Sequence, residues 1–309
     1  MGILETICAE RREEVARLSK KRPPSSLVRV AGTPRRAFPP RHPTPRPSPP
    51  PEFDRGKPFL IAECKRASPS KGLMLAKYDP VALASAYERG GASLVSVLTE
   101  PRHFLGDDAH LASARAAVKL PILRKDFIVD AWQLRESWAL GADAVLLIAA
   151  CLDPSQLVEF AAEARELGLS VLVETRETAE IDAALAAGPD AIGVNARDLR
   201  DFSVSTSVPL ALLAEIALCA PAELPRVAES GLKTGADALP LRDAGYDGFL
   251  VGEALATSAD PESASRDFVA TIVESAPDVA AAAGTSSSVE AKVTRGAAAR
   301  DKDPKAFAR

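Results

Sequence analysis

Acidic, basic and amide side chains repeatedly follow short apolar runs in this sequence. Glu63 and Lys65 follow the run at residues 59–61, and Lys125 follows the run at 121–123. Later runs are followed in the same way by Glu174, Asn195, Arg197, Glu229, Ser230 and Glu253. Short apolar runs are typical of buried parallel strands, and the residues that follow such strands share one edge of the sheet. We therefore expect these side chains to converge on one site.

The residue types at these positions suit proton transfer and the binding of anions. Carboxylates and lysines act as general acids and bases, and a lysine in a partly buried pocket can have a lowered pKa. Lys125 is therefore a candidate acid, and Glu174 is a second candidate acid or base. Side chains alternate along a strand, so Glu63 and Lys65 share one face. The guanidinium fork of Arg197 matches a carboxylate.

Serine and glycine residues predict a phosphate site beside these groups. Ser230 and Gly231 follow the seventh apolar run, and Gly252 and Glu253 follow the eighth. In barrels of parallel strands the loops after strands 7 and 8 commonly bind phosphate, through hydroxyl groups and unobstructed backbone amides. The polar loop that contains Ser68 can fold over a ligand. Together these residues favour a phosphorylated sugar that carries a second anionic group.

Each of these features also has a purely structural interpretation. Glu63 and Lys65 are compatible with an ion pair that only closes the barrel, and Lys125 with a side chain that extends to solvent. Arg197 and Asp198 are adjacent, which leaves a surface pair open as an alternative. Glycines after a strand are also ordinary turn residues. The sequence leaves these alternatives open.

Strands and helices alternate along residues 59–275, which predicts an α/β fold of the (β/α)8 TIM-barrel type with an N-terminal helical extension. The predicted strands lie at 59–61, 94–98, 121–123, 144–148, 171–173, 191–194, 226–228 and 249–251. The predicted helices lie at 80–89, 108–118, 131–140, 154–167, 178–187, 209–218, 235–244 and 264–273. Asp153 caps one helix and Gly168 ends it, whereas Pro240 lies inside another and is expected to kink or delay it.

Composition excludes several other classes of protein. The chain has 309 residues, 47% of them hydrophobic, and a net charge of −4, so no basic excess indicates nucleic acid or an anionic membrane as a partner. The four cysteines are far apart in the sequence and are expected to be reduced thiols of a cytoplasmic protein. No secretory signal or membrane span is predicted, and no histidine follows a strand. Motifs for a metal, a nucleotide cofactor or a P-loop do not occur.

Three segments are predicted from the change in composition. Residues 1–58 combine an amphipathic helix at 3–20 with a connector rich in proline and arginine from residue 30 onward. Residues 59–275 form the barrel. Residues 276–309 are rich in alanine and serine and then in mixed charge, so we expect a disordered tail.

Several of these motifs, in this order, resemble the indole-3-glycerol-phosphate synthase family. The similar strings are ILETICAERREEVA, IAECKRASPSKG, SVLTEPRHFLGD, PILRKDFIVDAWQLRESWALGADAVLLIA, LVETRETAEIDAALAAG, IGVNARDLRDFSV and VAESGLKTGADALPLRDAGYDGFLVGEAL. The resemblance covers residues 3–20 and 59–275. The Pro/Arg-rich connector departs from it, because family members usually build a short helix and loop at that place.

The resemblance implies ring closure, decarboxylation and dehydration of 1-(2-carboxyphenylamino)-1-deoxyribulose 5-phosphate, a step of tryptophan biosynthesis. It implies that Lys125 acts as an acid toward the carbonyl or the departing hydroxyl, and that Glu174 acts in the proton transfers of dehydration. The remaining residues that it implies for catalysis or substrate binding are Glu63, Lys65, Asn195, Arg197, Ser68, Phe104, Phe127, Glu229, Ser230, Gly231, Gly252 and Glu253. The resemblance implies that the reaction needs no cofactor.

Two rival functions remain at this point. Phosphoribosylanthranilate isomerase is another phosphosugar barrel, but its cysteine and aspartate pair is disfavoured here because Cys64 should point away from the mouth. A non-catalytic barrel or pathway scaffold is the second rival, and Lys125, Glu174 and Glu63 argue against it. The resemblance also leaves association with other tryptophan-pathway enzymes as an expectation.

Overall fold

The eight apolar runs form a closed barrel of parallel strands. The computed structural model describes residues 2–29 and 57–274. Its barrel strands are β1 (Phe59–Cys64), β2 (Leu94–Leu98), β3 (Ile122–Lys125), β4 (Ala144–Ile148), β5 (Ser170–Thr175), β6 (Ala191–Asn195), β7 (Arg226–Glu229) and β8 (Gly248–Val251). Each strand pairs with its neighbours in sequence, and β1 pairs with both β2 and β8. The predicted (β/α)8 barrel is confirmed.

Apolar strand residues fill the interior of the barrel and the layer between strands and helices. Leu60, Ile61, Leu94, Ile122 and Leu123 are among the largest side chains that are fully buried. Because a parallel sheet is covered on both faces, such strands have continuous apolar runs rather than an alternating pattern. This explains why the strands could be recognised in the sequence.

Most of the helices lie between the strands in the sequence, and they cover the barrel. They are α1 (Ile3–Lys21), α2 (Pro80–Arg89), α3 (Asp108–Ala117), α4 (Trp132–Leu140), α5 (Pro154–Glu166), α6 (Thr178–Ala186), α7 (Ser207–Cys219), α8 (Gly235–Ala244), α9 (Glu253–Ala256) and α10 (Pro261–Glu274). Asp153 caps α5 in a capping box, as predicted. The expectation for Pro240 is wrong in one respect, because α8 begins at Gly235 without delay and continues past the proline.

The N-terminal helix α1 packs on the barrel, and the described residues form one compact unit. Leu4, Ile7, Cys8 and Val15 of α1 are buried. After β1, the two-residue strands Ala67–Ser68 and Gly72–Leu73 form a small antiparallel hairpin. Most of the predicted connector and all of the predicted tail lie outside the described residues. Within the described part of the chain, no helix combines the length and the apolar character needed to cross a membrane.

Candidate active site

The carboxyl ends of the barrel strands surround a cavity of about 700 Å³, which lies in the usual range for sites of small ligands. Thirteen of the fourteen predicted site residues line this cavity. They are Glu63, Lys65, Ser68, Phe104, Lys125, Phe127, Asn195, Arg197, Glu229, Ser230, Gly231, Gly252 and Glu253. The fourteenth, Glu174, contacts the lining residues from behind and borders a smaller cavity of about 70 Å³. The structure therefore brings the predicted residues together.

Lys125 stands at the centre of a cluster of carboxylates. Its Nζ lies 3.2 Å from Glu174 Oε2 and 3.6 Å from Glu229 Oε2. Asn195 donates from Nδ2 to the other oxygen of Glu174, at 2.9 Å, and so fixes the orientation of that carboxylate. These residues come from β3, β5, β6 and β7, so the cluster exists because the barrel closes. A lysine and a carboxylate in direct contact can exchange a proton, and either group can transfer a proton to or from a bound substrate.

The expectation of a lowered pKa for Lys125 is wrong. Burial by itself lowers the pKa of this ammonium group, but Glu174, Glu229 and Glu63 together raise it above its ordinary value. The lysine is therefore charged throughout the neutral range. The interpretation of Lys125 as a side chain extended to solvent is also contradicted, because its side chain is only 15% exposed. A buried, charged ammonium group donates strong hydrogen bonds to oxygen atoms that develop negative charge.

Glu229 is the carboxyl group that the cluster holds in its neutral form. Burial is the main cause that raises the pKa of Glu229 well above its ordinary value, and repulsion by Glu174 adds to it, whereas Lys125 opposes it. Both oxygens are buried and have no hydrogen-bond partner among the described residues. A Cβ atom on Gly193 would collide with Glu229 Oε1, so this carboxyl group depends on a glycine in β6. A neutral carboxyl group beside Lys125 is suited to the role of a general acid.

Glu63 and Lys65 form the ion pair that the sequence suggested, but they do so inside the cavity. Lys65 Nζ lies 2.7 Å from Glu63 Oε1. Burial alone raises the pKa of Glu63, yet Lys65 and then Lys125 lower it below its ordinary value. A Cβ atom on Gly252 would collide with Glu63 and would lie 3.1 Å from Lys65 Nζ. The Glu63–Lys65 pair therefore lies close against the backbone that follows β8, at the lining of the cavity.

Small residues form the edge of the cavity at the ends of β7 and β8. Ser230 has φ 67° and Gly231 has φ 80°, so two successive residues adopt the left-handed conformation, which is rare for a residue with a side chain. A Cβ atom on Gly231 would lie 3.2 Å from Val204 Cγ1. Lys71 and Lys233 also line this part of the cavity, and the sequence analysis did not single them out. Both lie in sequence strings that carry the family resemblance, and this resemblance is the signal by which they could have been predicted.

Arg197 and three phenylalanines also line the cavity. The guanidinium group donates from Nη1 to the backbone oxygen of Phe202, at 2.9 Å, and has no carboxylate partner within the described ranges. Asp198 pairs instead with Arg200 at 2.7 Å and with Arg176, so the predicted alternative of an Arg197–Asp198 pair is wrong. A cation with free donors beside a cavity is suited to an anionic substrate group.

The three phenylalanine rings of the lining lie close to one another. Phe104 and Phe127 have ring centroids 6.1 Å apart, and Phe202 lies 6.5 Å from Phe104. Phe202 was not predicted, although it lies in the quoted string IGVNARDLRDFSV. By contrast, Cys64 is fully buried and does not line the cavity. The cysteine that the isomerase alternative needs is therefore absent from the lining.

A buried ionic network behind Lys125 was not foreseen. Asp126 accepts hydrogen bonds from Arg11 of α1 at 2.7 and 3.1 Å, and from Thr99 at 2.7 Å. Arg124, which is fully buried, lies 3.1 Å from Asp126 and 2.9 Å from Glu136 of α4. Arg124 and Asp126, the two neighbours of Lys125 in the sequence, are thus held in place by residues of the outer helices α4 and α1. The network connects the N-terminal helix to the centre of the site.

No group of three or more His, Cys, Asp or Glu residues in the described part of the chain is arranged to hold a metal ion. The lining of the cavity supplies ammonium, guanidinium, carboxyl and amide groups. These groups supply proton transfer and electrostatic stabilisation.

Solved structures of other enzymes share the fold at low sequence identity. A 3-hexulose-6-phosphate synthase has a TM-score of 0.55 and 15% identity, covering 69% of this chain and 99% of its own. A thiamine phosphate pyrophosphorylase from Pyrococcus furiosus has a TM-score of 0.54 and 17% identity, covering 71% of this chain and 98% of its own. At this level of identity the similarity establishes the barrel fold alone.

Sequence comparisons are more specific. The family model described as indole-3-glycerol phosphate synthase matches residues 4–268. An indole-3-glycerol phosphate synthase from Laribacter hongkongensis (strain HLHK9) is 45% identical over 270 residues, covering 85% of this chain and 97% of its own. One from Chlorobium phaeovibrioides (strain DSM 265 / 1930) is 42% identical over 272 residues, covering 86% and 98%. The chain belongs to the indole-3-glycerol phosphate synthase family.

Proposed function

We propose that this chain converts 1-(2-carboxyphenylamino)-1-deoxyribulose 5-phosphate to indole-3-glycerol phosphate, with loss of CO₂ and water, in tryptophan biosynthesis. The observation that carries the proposal is the position of Lys125, which faces the cavity in contact with Glu174 while Arg197 and the Ser230–Gly231 edge lie around the same space. The family membership of the chain supports the same activity.

The cavity suggests how the substrate is oriented. The phosphate group would lie at the edge formed by Ser230, Gly231 and Gly252, where it would accept hydrogen bonds from backbone amides and where two lysines of the lining would add positive charge. The carboxylate would face Arg197, whose fork matches two oxygens. The substrate ring would then pack beside Phe104, and its sugar carbonyl would face the strand ends. Fixing both anionic ends brings the ring carbon and the carbonyl carbon together, which supplies proximity.

Ring closure requires a donor to the carbonyl oxygen. As the ring carbon attacks the carbonyl carbon, the electron pair of the C=O bond moves to oxygen, and the charged Lys125 stabilises that oxygen and gives it a proton. The carboxylate then leaves as CO₂, and its bonding electrons restore the aromatic ring. The proximity of Glu63 and Lys65 supplies a second ion pair that stabilises charge during these changes.

Dehydration requires an acid for the leaving hydroxyl and a base for the departing proton. The hydroxyl leaves as water when the neutral carboxyl group of Glu229, which is later reprotonated from solvent, gives it a proton, while Glu174 takes the proton that the substrate loses. Asn195 holds Glu174 by a hydrogen bond of 2.9 Å, so its second oxygen remains directed at Lys125. The pair can exchange its proton after the reaction and return to its starting state. Glu229 supplies a neutral carboxyl group beside them.

The experiment is a fluorescence assay of indole formation with the purified chain and the carboxyphenylamino-deoxyribulose phosphate. We expect the Lys125→Ala variant to lower kcat by at least ~10²-fold, because it removes acid catalysis. Lys119→Ala is the matched control, since Lys119 is exposed near the opposite end of β3 and should keep full activity. Substrate binding without indole formation by the wild-type chain would favour a non-catalytic barrel. Full turnover by Lys125→Ala would reject the role of this lysine.

We also propose a cytoplasmic location and association with other tryptophan-pathway enzymes. The location rests on the four cysteines, which are far apart in the sequence and include no C-x-x-C pair, as is usual for reduced thiols of the cytosol. Cell fractionation tests it, and recovery in a secreted fraction would contradict it. Co-purification of pathway enzymes with the tagged full chain tests the association, and their absence under gentle conditions would contradict it.

A further inference from the structure

Two cysteines that are 143 positions apart in the sequence lie in contact in the fold. Cys8 belongs to α1, and Cys151 lies in the short turn of 3-10 helix at Ala149–Cys151, directly after β4. Their Sγ atoms are 3.0 Å apart, and both residues are free thiols in the structure. Both side chains are buried, at 3% and 7% exposure. This contact plays no part in the proposed reaction.

Neighbouring interactions hold the two thiols in this position. Arg12 of α1 donates from Nη2 to the backbone oxygen of Cys151, at 3.2 Å. One residue earlier, Arg11 binds Asp126 beside the active site. A disulfide bond has an S–S length of about 2.05 Å, so bond formation requires the sulfur atoms to approach by only about 1 Å. The docking of α1 therefore preorganises the pair for a covalent bond.

The two thiols are also chemically unequal. The hydrogen bond with Cys151 lowers the pKa of Cys8, the Arg12 guanidinium lowers it further, and burial opposes both. The same hydrogen bond, with burial, raises the pKa of Cys151. The thiolate is the reactive form of cysteine, so Cys8 is the expected nucleophile and Cys151 its partner.

The other two cysteines provide comparisons within the chain. Cys64 is fully buried, and burial raises its pKa well above the ordinary value, so it should be inert. Cys219 is a free thiol that is exposed at the end of α7. The chain thus contains one preorganised pair, one protected thiol and one accessible single thiol.

We propose that Cys8 and Cys151 are a site of oxidative modification, at which a hydroperoxide forms a disulfide that ties α1 to the turn after β4. The Cys8 thiolate attacks the peroxide and becomes a sulfenic acid, releasing hydroxide. The Cys151 sulfur then attacks the sulfenic sulfur, and the oxygen leaves as water. In total, two thiols and one hydrogen peroxide give one disulfide and two water molecules.

The bond would act on the part of the fold that supports Lys125. Helix α1 supplies Arg11 to Asp126, the residue that follows Lys125, and burial of the cysteines means that the bond forms within the native arrangement. A cross-link across a long loop limits the freedom of the unfolded chain. The oxidised protein should therefore melt at a higher temperature, while the active site keeps its geometry.

The test uses the full chain in native buffer with increasing hydrogen peroxide, followed by blocking of free thiols and digestion without reductant. We expect a peptide pair joined through Cys8 and Cys151, lighter by two hydrogen atoms than the reduced peptides. It should form at least ~10-fold faster than any cross-link through Cys64 or Cys219. The melting temperature should rise in parallel and return to its starting value after treatment with dithiothreitol.

Matched variants separate this site from general oxidation. Cys8→Ser and Cys151→Ser should each abolish the cross-link and the rise in melting temperature, whereas Cys219→Ser should keep both. Peptide mapping of the wild-type chain decides the matter even if a buried variant fails to fold. The proposal is overturned if Cys8 accumulates as sulfinic acid without a disulfide, or if the joined peptides arise only in denaturant. Neither result depends on the enzymatic assay.

Discussion

The protonation of Glu229 can be tested by replacing it with its neutral isostere. Glu229→Gln changes the side chain little in shape, and Gly193 leaves room for either group. In the folded state burial first, and then the Glu174 carboxylate, raise the pKa of Glu229. In the unfolded state the ordinary value of about 4.3 applies. Above that pH, the folded chain keeps a proton that the unfolded chain has released.

The sign of the effect on stability follows from this proton. A carboxyl group with a raised pKa in the folded state stabilises the fold below its unfolded pKa, and this contribution is lost as the pH rises toward the folded pKa. While folded Glu229 keeps its proton, the free energy of unfolding falls by about 1.4 kcal/mol per pH unit through this group alone. The Gln variant has no such loss. Its stability relative to the wild type should therefore increase steadily from pH 5 upward.

Urea unfolding at several pH values between 5 and 8 measures this difference. Other groups titrate in both proteins and cancel in the comparison. Glu166→Gln, at an exposed position on α5, controls for the removal of one carboxyl group. In a Glu174→Gln background the effect of Glu229→Gln should become weaker, because a repelling charge is gone. A difference between wild type and Glu229→Gln that stays constant with pH would refute the assignment of a neutral Glu229.

Further predictions concern substrate binding, close packing and the N-terminal helix. Arg197→Ala should raise KM more than it lowers kcat, since it removes the proposed carboxylate contact; an unchanged KM in steady-state assays would count against it. Gly252→Ala should strongly reduce kcat, because the added methyl displaces Glu63, and it should cost about 1–3 kcal/mol in urea unfolding; normal kcat would contradict the close approach. Arg11→Met should cost about 3–5 kcal/mol of unfolding free energy, because Asp126 is left buried with fewer donors; a loss below about 1 kcal/mol would show that the pair is not coupled to the fold.

The local elements of this protein were largely predictable from the sequence. Helices α2 and α8 have the bounds that were predicted, because Pro80 and Thr234 mark starts and Gly90 and Gly245 mark ends. The strands were recognised by apolar runs, although most extend a residue or more beyond the predicted limits. Helix α7 begins at Ser207 rather than at residue 209, because a proline is tolerated within the first turn. The short helix Glu253–Ala256 was missed, since four residues give no periodicity to detect.

The site was predicted as a set of residues, but its electrostatics were not. Strand order and the alternation of side chains determine which groups reach the mouth of a barrel, and both can be inferred from the sequence. The charge state of Lys125 depends on distances to carboxylates on β5, β7 and β1, and these strands are far apart in the chain. The expectation of a lowered pKa treated the lysine as alone in its pocket, and the neighbours reversed it.

The sequence by itself determined the barrel, the list of groups at its mouth and the family. These follow from local patterns, since apolar runs, capping residues and short motifs are written in consecutive positions. Tertiary structure decided which groups touch: Arg11 reaches Asp126 behind Lys125, and Cys8 meets Cys151. Such contacts join residues more than 100 positions apart, and they exist because closing the barrel and docking α1 bury them together. No local pattern encodes that distance, so only the folded chain reveals it.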